Sequence, residues 1–468
     1  MRKPGQRHRA VPLRAQVRRR KRRASAHQRR QGVALIIALT AIAILSVLLA
    51  EMHEHTSTAH AVSVAQKERL QAEYMAKSAL NLNRMLIAQT DNITTVARPL
   101  YRALLGRDPP RLPVWELSNE ILAPFCRPFE AGSFSNIEGM DNLPGECEIQ
   151  SFAENSKINI NDPLFLDGDL ARRSIAMQVF ATIGGYQAPS PYDPLFERRD
   201  GDGQFTSRLD VVSAMIDWWD SDTERTSFDP GASTVSSIGR EDDVYLGLDD
   251  PYSIKNAPFD SLGELRLVRG ISDDFWATFI EPDPSNPRSR SFTIYGSGSV
   301  NVNEAPPSVL LARVCSFITD QPLCSDPLES AKFVTLLEQV RVMIPIPLFS
   351  GPDFLTFLQG QGSEQELYPM LRSFLGEDHP LLFTPIELTS EQRREIQDSL
   401  VADARIIWVR SIGKAGCRPN AEDPEGPKDC RTTVELNSVI NVDPRWNPPP
   451  PNAGRVPTLG VFHYYRME

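Results

Sequence analysis

From Val33 to Ala50 the chain runs apolar for 18 residues, interrupted only by Thr40 and Ser46. As an α-helix this stretch is about 27 Å long, close to the thickness of a hydrocarbon core. Neither Pro nor Gly occurs between Val33 and Arg98, so the helix is expected to continue past the apolar run, over residues 51–96. In its second half Met75, Ala79, Leu82 and Leu86 recur at helical spacing, a stripe that predicts packing against a sheet. Residues 97–160 read as connector followed by strands. Prolines at 99, 109, 110, 113 and 124 punctuate its first part, and Ile158 and Ile160 alternate with polar neighbours at its end. Residues 161–400 turn mainly helical, with Leu209 to Trp219, Leu262 to Val268, Pro307 to Val314 and Ala331 to Val342 as examples. They are expected to form two subdomains, 161–290 and 300–400. β-rich runs return at 405–410, 432–437 and 461–465, in a segment spanning 401–468. The order predicts an α+β fold: a long helix on a small antiparallel sheet, with a large helical block inserted into it.

Charge separates the two ends. Residues 1–32 contain 13 Lys and Arg and no acidic residue, whereas the remainder holds 37 basic against 60 acidic residues, a net charge of −23. The basic leader is expected to stay on the cytoplasmic side of an inner membrane, with the acidic bulk in the periplasm. An acidic body argues against general electrostatic binding of nucleic acid. Cys126, Cys147, Cys315, Cys324, Cys417 and Cys430 all follow the apolar helix, without CxxC or zinc spacing. Disulfides in an oxidising compartment are the simplest reading. Sequential pairs would close short loops, including a Cys417–Cys430 bridge in the loop between two strands. The connectivity stays open, as does the alternative of buried free thiols.

Three stretches carry a resemblance. The first is Asp210-Val-Val-Ser-Ala-Met-Ile-Asp-Trp-Trp-Asp-Ser-Asp222. The second is Glu241-Asp-Asp-Val-Tyr245 with Pro251-Tyr-Ser-Ile-Lys-Asn256 and the residues up to Gly270. The third is Ser299-Val-Asn-Val-Asn-Glu-Ala-Pro306, echoed by Ser156-Lys-Ile-Asn-Ile-Asn161. In this order, behind Gly32-Val-Ala-Leu-Ile-Ile37, they resemble the K-type minor pseudopilin family of type II secretion. The resemblance implies cleavage between Gly32 and Val33 by a prepilin peptidase and methylation of the new end. It also implies a pilin-like fold with a SAM-like helical insertion, and a place at the pseudopilus tip beside I- and J-type minor pseudopilins. The stripe at Met75, Ala79, Leu82 and Leu86 is expected to join those partners, together with the sheet. Most pilins carry Glu where this chain has Ile37. A tip subunit has no neighbour ahead to pair that carboxylate, and an unpaired carboxylate in hydrocarbon is costly.

The family resemblance also implies Ca²⁺. Asp220, Asp222, Glu224 and Glu241 or Asp242 supply hard oxygen ligands near the end of an apolar helix, although solvated caps would read the same way. A second candidate, Asp200 with Asp202, sits in a stretch similar to the middle of an EF-type loop. There, however, Arg198 and Leu209 stand where its first and last ligands belong. Two readings from other classes remain. Asn301-Val-Asn303 resembles the start of a helix-hairpin-helix DNA module, but the hairpin glycines are missing, and Asn303 reads better as a helix cap. A membrane-anchored periplasmic enzyme would need an acid-base constellation. The chain has no GxSxG, P-loop or HExxH, and an enzyme is not expected.

Overall fold

The computed structural model describes residues 13–106, 108–126, 145–161, 168–185, 189–196, 199, 206–232, 234–248, 250–318, 320–344, 346–363, 366–377, 379–418, 429–443 and 459–468. The chain divides into two units, Met1–Leu70 and Gln71–Glu468.

The first unit is helical: helix α1 starts at Leu13 and runs beyond the unit's end to Ala88. Every side chain from Val33 to Ala50 is exposed. By length and composition this is a helix able to cross a membrane. Its two hydroxyl groups are satisfied within the helix: Thr40 donates to the carbonyl of Ile37 at 2.9 Å and Ser46 to that of Ala43 at 2.8 Å. In a medium without water this internal bonding removes the penalty of a polar side chain.

In the second unit, α1 buries Ala72, Met75, Ala76, Ala79 and Leu80. It stops at Gln89, whose φ of −91° and ψ of 0° leave helical geometry, and α2 (Thr90–Leu105) begins at once. The expectation of one helix to residue 96 is corrected here. The break lets Thr90 and Tyr101 of a new helix face turn inward. Helix α3 (Ser118–Cys126) then leads to strand β1 (Gly145–Ala153).

Between β1 and the next strand of the same sheet lie residues 154–405. This insertion contains α4 (Gly168–Thr182), α5 (Arg208–Trp219), a hairpin of β2 (Glu224–Asp229) and β3 (Thr234–Arg240), α6 (Pro307–Cys315), α7 (Pro327–Met343), α8 (Gly351–Leu358), α9 (Leu367–Leu375) and α10 (Ser390–Ser399). Helices α5, α8 and α10 start with reciprocal capping boxes, at Ser207/Asp210, Ser350/Asp353 and Thr389/Gln392. Each satisfies N–H groups that the first turn leaves unpaired. A single apolar cluster from Ile158 to Leu400 fills the block. The two expected subdomains therefore share one core. Ile158 and Asn159 pair in parallel with Phe292 and Thr293, inside the insertion, and are not sheet strands of the helix-bearing body. Alternation predicted their extended backbone but not their partner.

The chain returns as β4 (Ile406–Arg418), β5 (Asp429–Asn441) and β6 (Val461–Met467). The sheet order is β1-β4-β5-β6, antiparallel throughout. One face, with Ile149, Ile407, Val409, Leu436 and Ile440, packs with Met75, Ala76, Ala79 and Leu80 of α1 and with Trp115. The other face stacks Trp408 on Phe152 and Tyr464, and meets Tyr295 of the insertion.

Candidate metal centre

Helix α5 buries Val211, Val212, Met215 and Ile216, and it ends with Asp220 as its C-cap. The hairpin that follows reverses direction, pairing Glu224 with Arg240, and so returns Glu241 to the end of the helix. One carboxylate oxygen from each of Asp220, Asp222 and Glu241 lies within 4.8 Å of the other two. Asp217, one turn back on α5, is also buried and accepts the Thr226 N–H at 2.7 Å. Asn256 holds the left-handed conformation (φ 48°) and donates its amide to the carbonyl of Asp222 at 2.6 Å. That tie fixes the loop carrying Asp222. Rings of Trp218, Tyr245 and Phe259 pack nearby at centroid distances of 6.1 and 6.4 Å.

The electrostatics are those of crowded, desolvated acids. Glu241 is 2% exposed, and among the described residues neither of its carboxylate oxygens has a hydrogen-bond partner; Asp220 Oδ1 has none either. Burial pushes the Glu241 carboxyl up to about 9, with the Asp220, Asp217 and Asp222 charges adding to it. Burial likewise raises Asp217 to about 7 and Asp220 to about 6. Arg172 of α4 is the cation in contact: its Nη1 lies 3.2 Å from Asp220 Oδ2 and 2.5 Å from Asp222 Oδ2, and its Nη2 lies 2.5 Å from Asp169. Unpartnered buried carboxylate oxygens need a proton or a cation. Two such residues, Glu241 and Asp220, with the half-buried Asp222 beside them, match the donor set of Ca²⁺, which takes several oxygens in flexible geometry.

Of the sequence candidates, Glu224 falls outside the group, and of the alternatives Glu241 and Asp242 only Glu241 lies in it. Glu224 is exposed on β2, where its backbone N–H donates to Asp222 Oδ1, and it stands outside the group. Asp242 accepts from the Ile254 N–H at 3.4 Å and also stands outside. Asp200 and Asp202 lie outside the described residues. Sequence reasoning missed Arg172 and did not name Asp217 among the candidate ligands. The three-residue step from Asp217 to Asp220, on the face that carries Ile216, was the available signal for Asp217. Another grouping, Glu146 with Cys417 and Cys430, offers no thiolate because those cysteines are bonded to each other.

The remaining candidates fall as follows. Disulfides join Cys126 to Cys147, Cys315 to Cys324 and Cys417 to Cys430. Cys417 and Cys430 occupy directly opposed positions on β4 and β5, not the loop between them. Met75, Ala79 and Leu86 are buried and Leu82 is partly so, all in the sheet-facing core. The expected packing of the stripe on the protein's own sheet is found, and its second assignment, as a partner surface, is corrected because that sheet covers it. Val33 and Ile37 are exposed on α1, and Gly32 lies within that helix. Asn303 caps no helix. Its Oδ1 accepts from Leu348 and Phe349 N–H groups, and its Nδ2 donates to the carbonyls of Phe349 and Ala402. Its side chain is fully used in joining three segments and has no capacity left for a phosphate.

A family model described as "Type II secretion system (T2SS), protein K" matches residues 204–280, the stretch that spans α5, the hairpin and Glu241. Over that stretch the chain is similar to protein K of type II secretion. The matched stretch contains Asp217, Asp220, Asp222 and Glu241, while Arg172 comes from outside the matched residues. Curated proteins give no match. Among solved structures, a similar chain occurs in the crystal structure of the GspK-GspI-GspJ complex from the enterotoxigenic Escherichia coli type 2 secretion system. It is 13% identical, with a TM-score of 0.40, and the match covers 87% of this chain and 99% of that one.

Proposed function

We propose that this chain is a protein K-family minor pseudopilin that caps the periplasmic pseudopilus of type II secretion. The observation that carries the reading is the similarity to protein K at residues 204–280, set within an insertion between neighbouring strands of a helix-bearing antiparallel sheet. Two features favour the tip over the shaft. Ile37 puts an apolar side chain where a shaft subunit would present a carboxylate to the subunit ahead. Residues 154–405 add bulk at a position that a tightly wound shaft would repeat at every step. Val33–Ala50 then anchors the chain in the inner membrane, with residues 1–32 removed by the prepilin peptidase and the acidic body in the periplasm. The role is structural, without catalysis.

The partners in this reading are I- and J-type minor pseudopilins, the types named with GspK in the similar complex. With the inward stripe of α1 covered, the contact falls to other surfaces. Tyr74 and Met85 are exposed on the same helix, and Val461, Tyr465 and Met467 are exposed on the edge strand β6. Ca²⁺ at Asp220, Asp222 and Glu241 is part of the proposal. It would supply the positive charge that the unpartnered oxygens of Glu241 and Asp220 lack.

Co-purification tests the assignment. The full chain in detergent is expected to be retained by tagged I- and J-type partners and to stay monomeric alone. Long homopolymers, with no retention by either partner, would remove the tip reading.

A further inference from the structure

Arg172 and Asp169 sit three residues apart on α4, so their side chains share a helix face. The guanidinium divides itself between two positions. Nη1 touches Asp220 and Asp222, the two carboxylates that converge with Glu241; Nη2 touches Asp169, whose side chain is 80% exposed. A divalent ion held by Asp220, Asp222 and Glu241 would therefore share two of its ligands with a fixed positive charge. Arg172 Nε is buried without an acceptor among the described residues, so the guanidinium is not locked in place by a full set of hydrogen bonds there. Asp169 offers it a solvated carboxylate outside the cluster.

We propose that Arg172 is a tethered competitor of Ca²⁺. It bridges Asp220 and Asp222 in the cation-free protein and withdraws onto Asp169 when the ion enters. This inference rests on the calcium reading above and names its regulation. The consequence is a weakened affinity, in the range of about 10⁻⁴–10⁻³ M typical of extracellular modules. The site then fills in a calcium-rich compartment and stays closed by its own arginine in a calcium-poor one. The stabilisation that accompanies filling follows the same concentration dependence.

Calorimetric titration of CaCl₂ into the full chain in detergent tests this, with MgCl₂ in parallel. Arg172→Gln is expected to tighten Ca²⁺ by about tenfold or more, since it removes a like charge in contact with two ligands. Arg172→Lys keeps the positive charge though not the guanidinium fork, and is expected to bind Ca²⁺ more weakly than Arg172→Gln, within about threefold of wild type. Asp169→Asn removes the resting place of the guanidinium from an exposed position and is expected to weaken Ca²⁺ by about threefold. Equal or weaker binding by Arg172→Gln, while wild type binds, overturns the competitor role and leaves the calcium site standing. If wild type, Arg172→Gln and Asp169→Asn all fail to bind, the calcium reading falls and this inference with it. Should Arg172→Gln not fold, Asp169→Asn decides: weakened binding supports the mechanism and unchanged binding overturns it.

Discussion

Gly413 on β4 lies directly beneath α1, where a side chain would collide with the helix backbone. A Cβ there would stand 1.9 Å from the Ala72 carbonyl oxygen, 2.6 Å from the Ala76 nitrogen and 2.9 Å from the Ala72 carbonyl carbon. All three are backbone atoms, so no rotamer change relieves the clash. In Gly413→Ala the helix or the strand must retreat by about an ångström, since Cβ contacts below about 3 Å are essentially unknown. Retreat strips dispersion contacts from Ala72, Met75, Ala76 and Ala79, which pack on the sheet here. Overpacking of this kind costs about 1–3 kcal/mol, and the backbone-to-backbone geometry argues for the upper end. At about 2–4 °C per kcal/mol the sheet-bearing core should melt roughly 6–12 °C lower. The control is Gly168→Ala at the start of α4, where a Cβ meets nothing within 4 Å; there the change should be neutral or slightly stabilising. Thermal melts of both full-length variants in detergent, followed by proteolysis of residues 71–88, provide the readout. A Gly413→Ala protein with the wild-type midpoint and an equally protected helix would refute the close-approach argument.

Processing is expected between Gly32 and Val33, so Gly32→Leu should leave the leader uncut, as read by N-terminal sequencing of the membrane fraction. Replacing Cys417 and Cys430 together by Ser should cost about 3 kcal/mol in the chain-entropy model, because the pair closes a loop with a sequence separation of 13; a non-reduced digest checks the bond, and free thiols at both positions would refute it. Stability should also depend on pH through Glu241 and Asp217. Their carboxyls are raised in the folded state, to about 9 and about 7, so the folded protein holds more protons than the unfolded chain across that window. The sign is therefore a stability that is highest near pH 4–5 and falls as pH rises towards 9, in EDTA. Added Ca²⁺ should remove most of the decline by taking the place of the proton, and melts that are flat from pH 5 to 9 in EDTA would contradict the burial argument.

The sequence alone determined the features that depend on near neighbours. The apolar run from Val33 to Ala50 marks a membrane-length helix because helix rise and hydrocarbon thickness are fixed lengths. The caps at Ser207, Ser350 and Thr389 are local in the same sense, because each acts within three residues, although the structure was needed to identify them. The order of β, helical block and β stated the insertion, because hydrophobic period changes with secondary structure. Tertiary structure alone decided partners separated by many residues. Alternation at Ile158 and Ile160 predicts an extended chain equally well for either sheet, and only packing chose Phe292 and Thr293. The stripe on α1 looks the same whether a partner or the protein's own β4 covers it. Asp220, Asp222 and Glu241 converge because a hairpin reverses the chain between them, and Arg172 joins them from a helix packed alongside. Such a site is set by where low-dielectric burial forces charges together, and no local pattern in the sequence carries that distance.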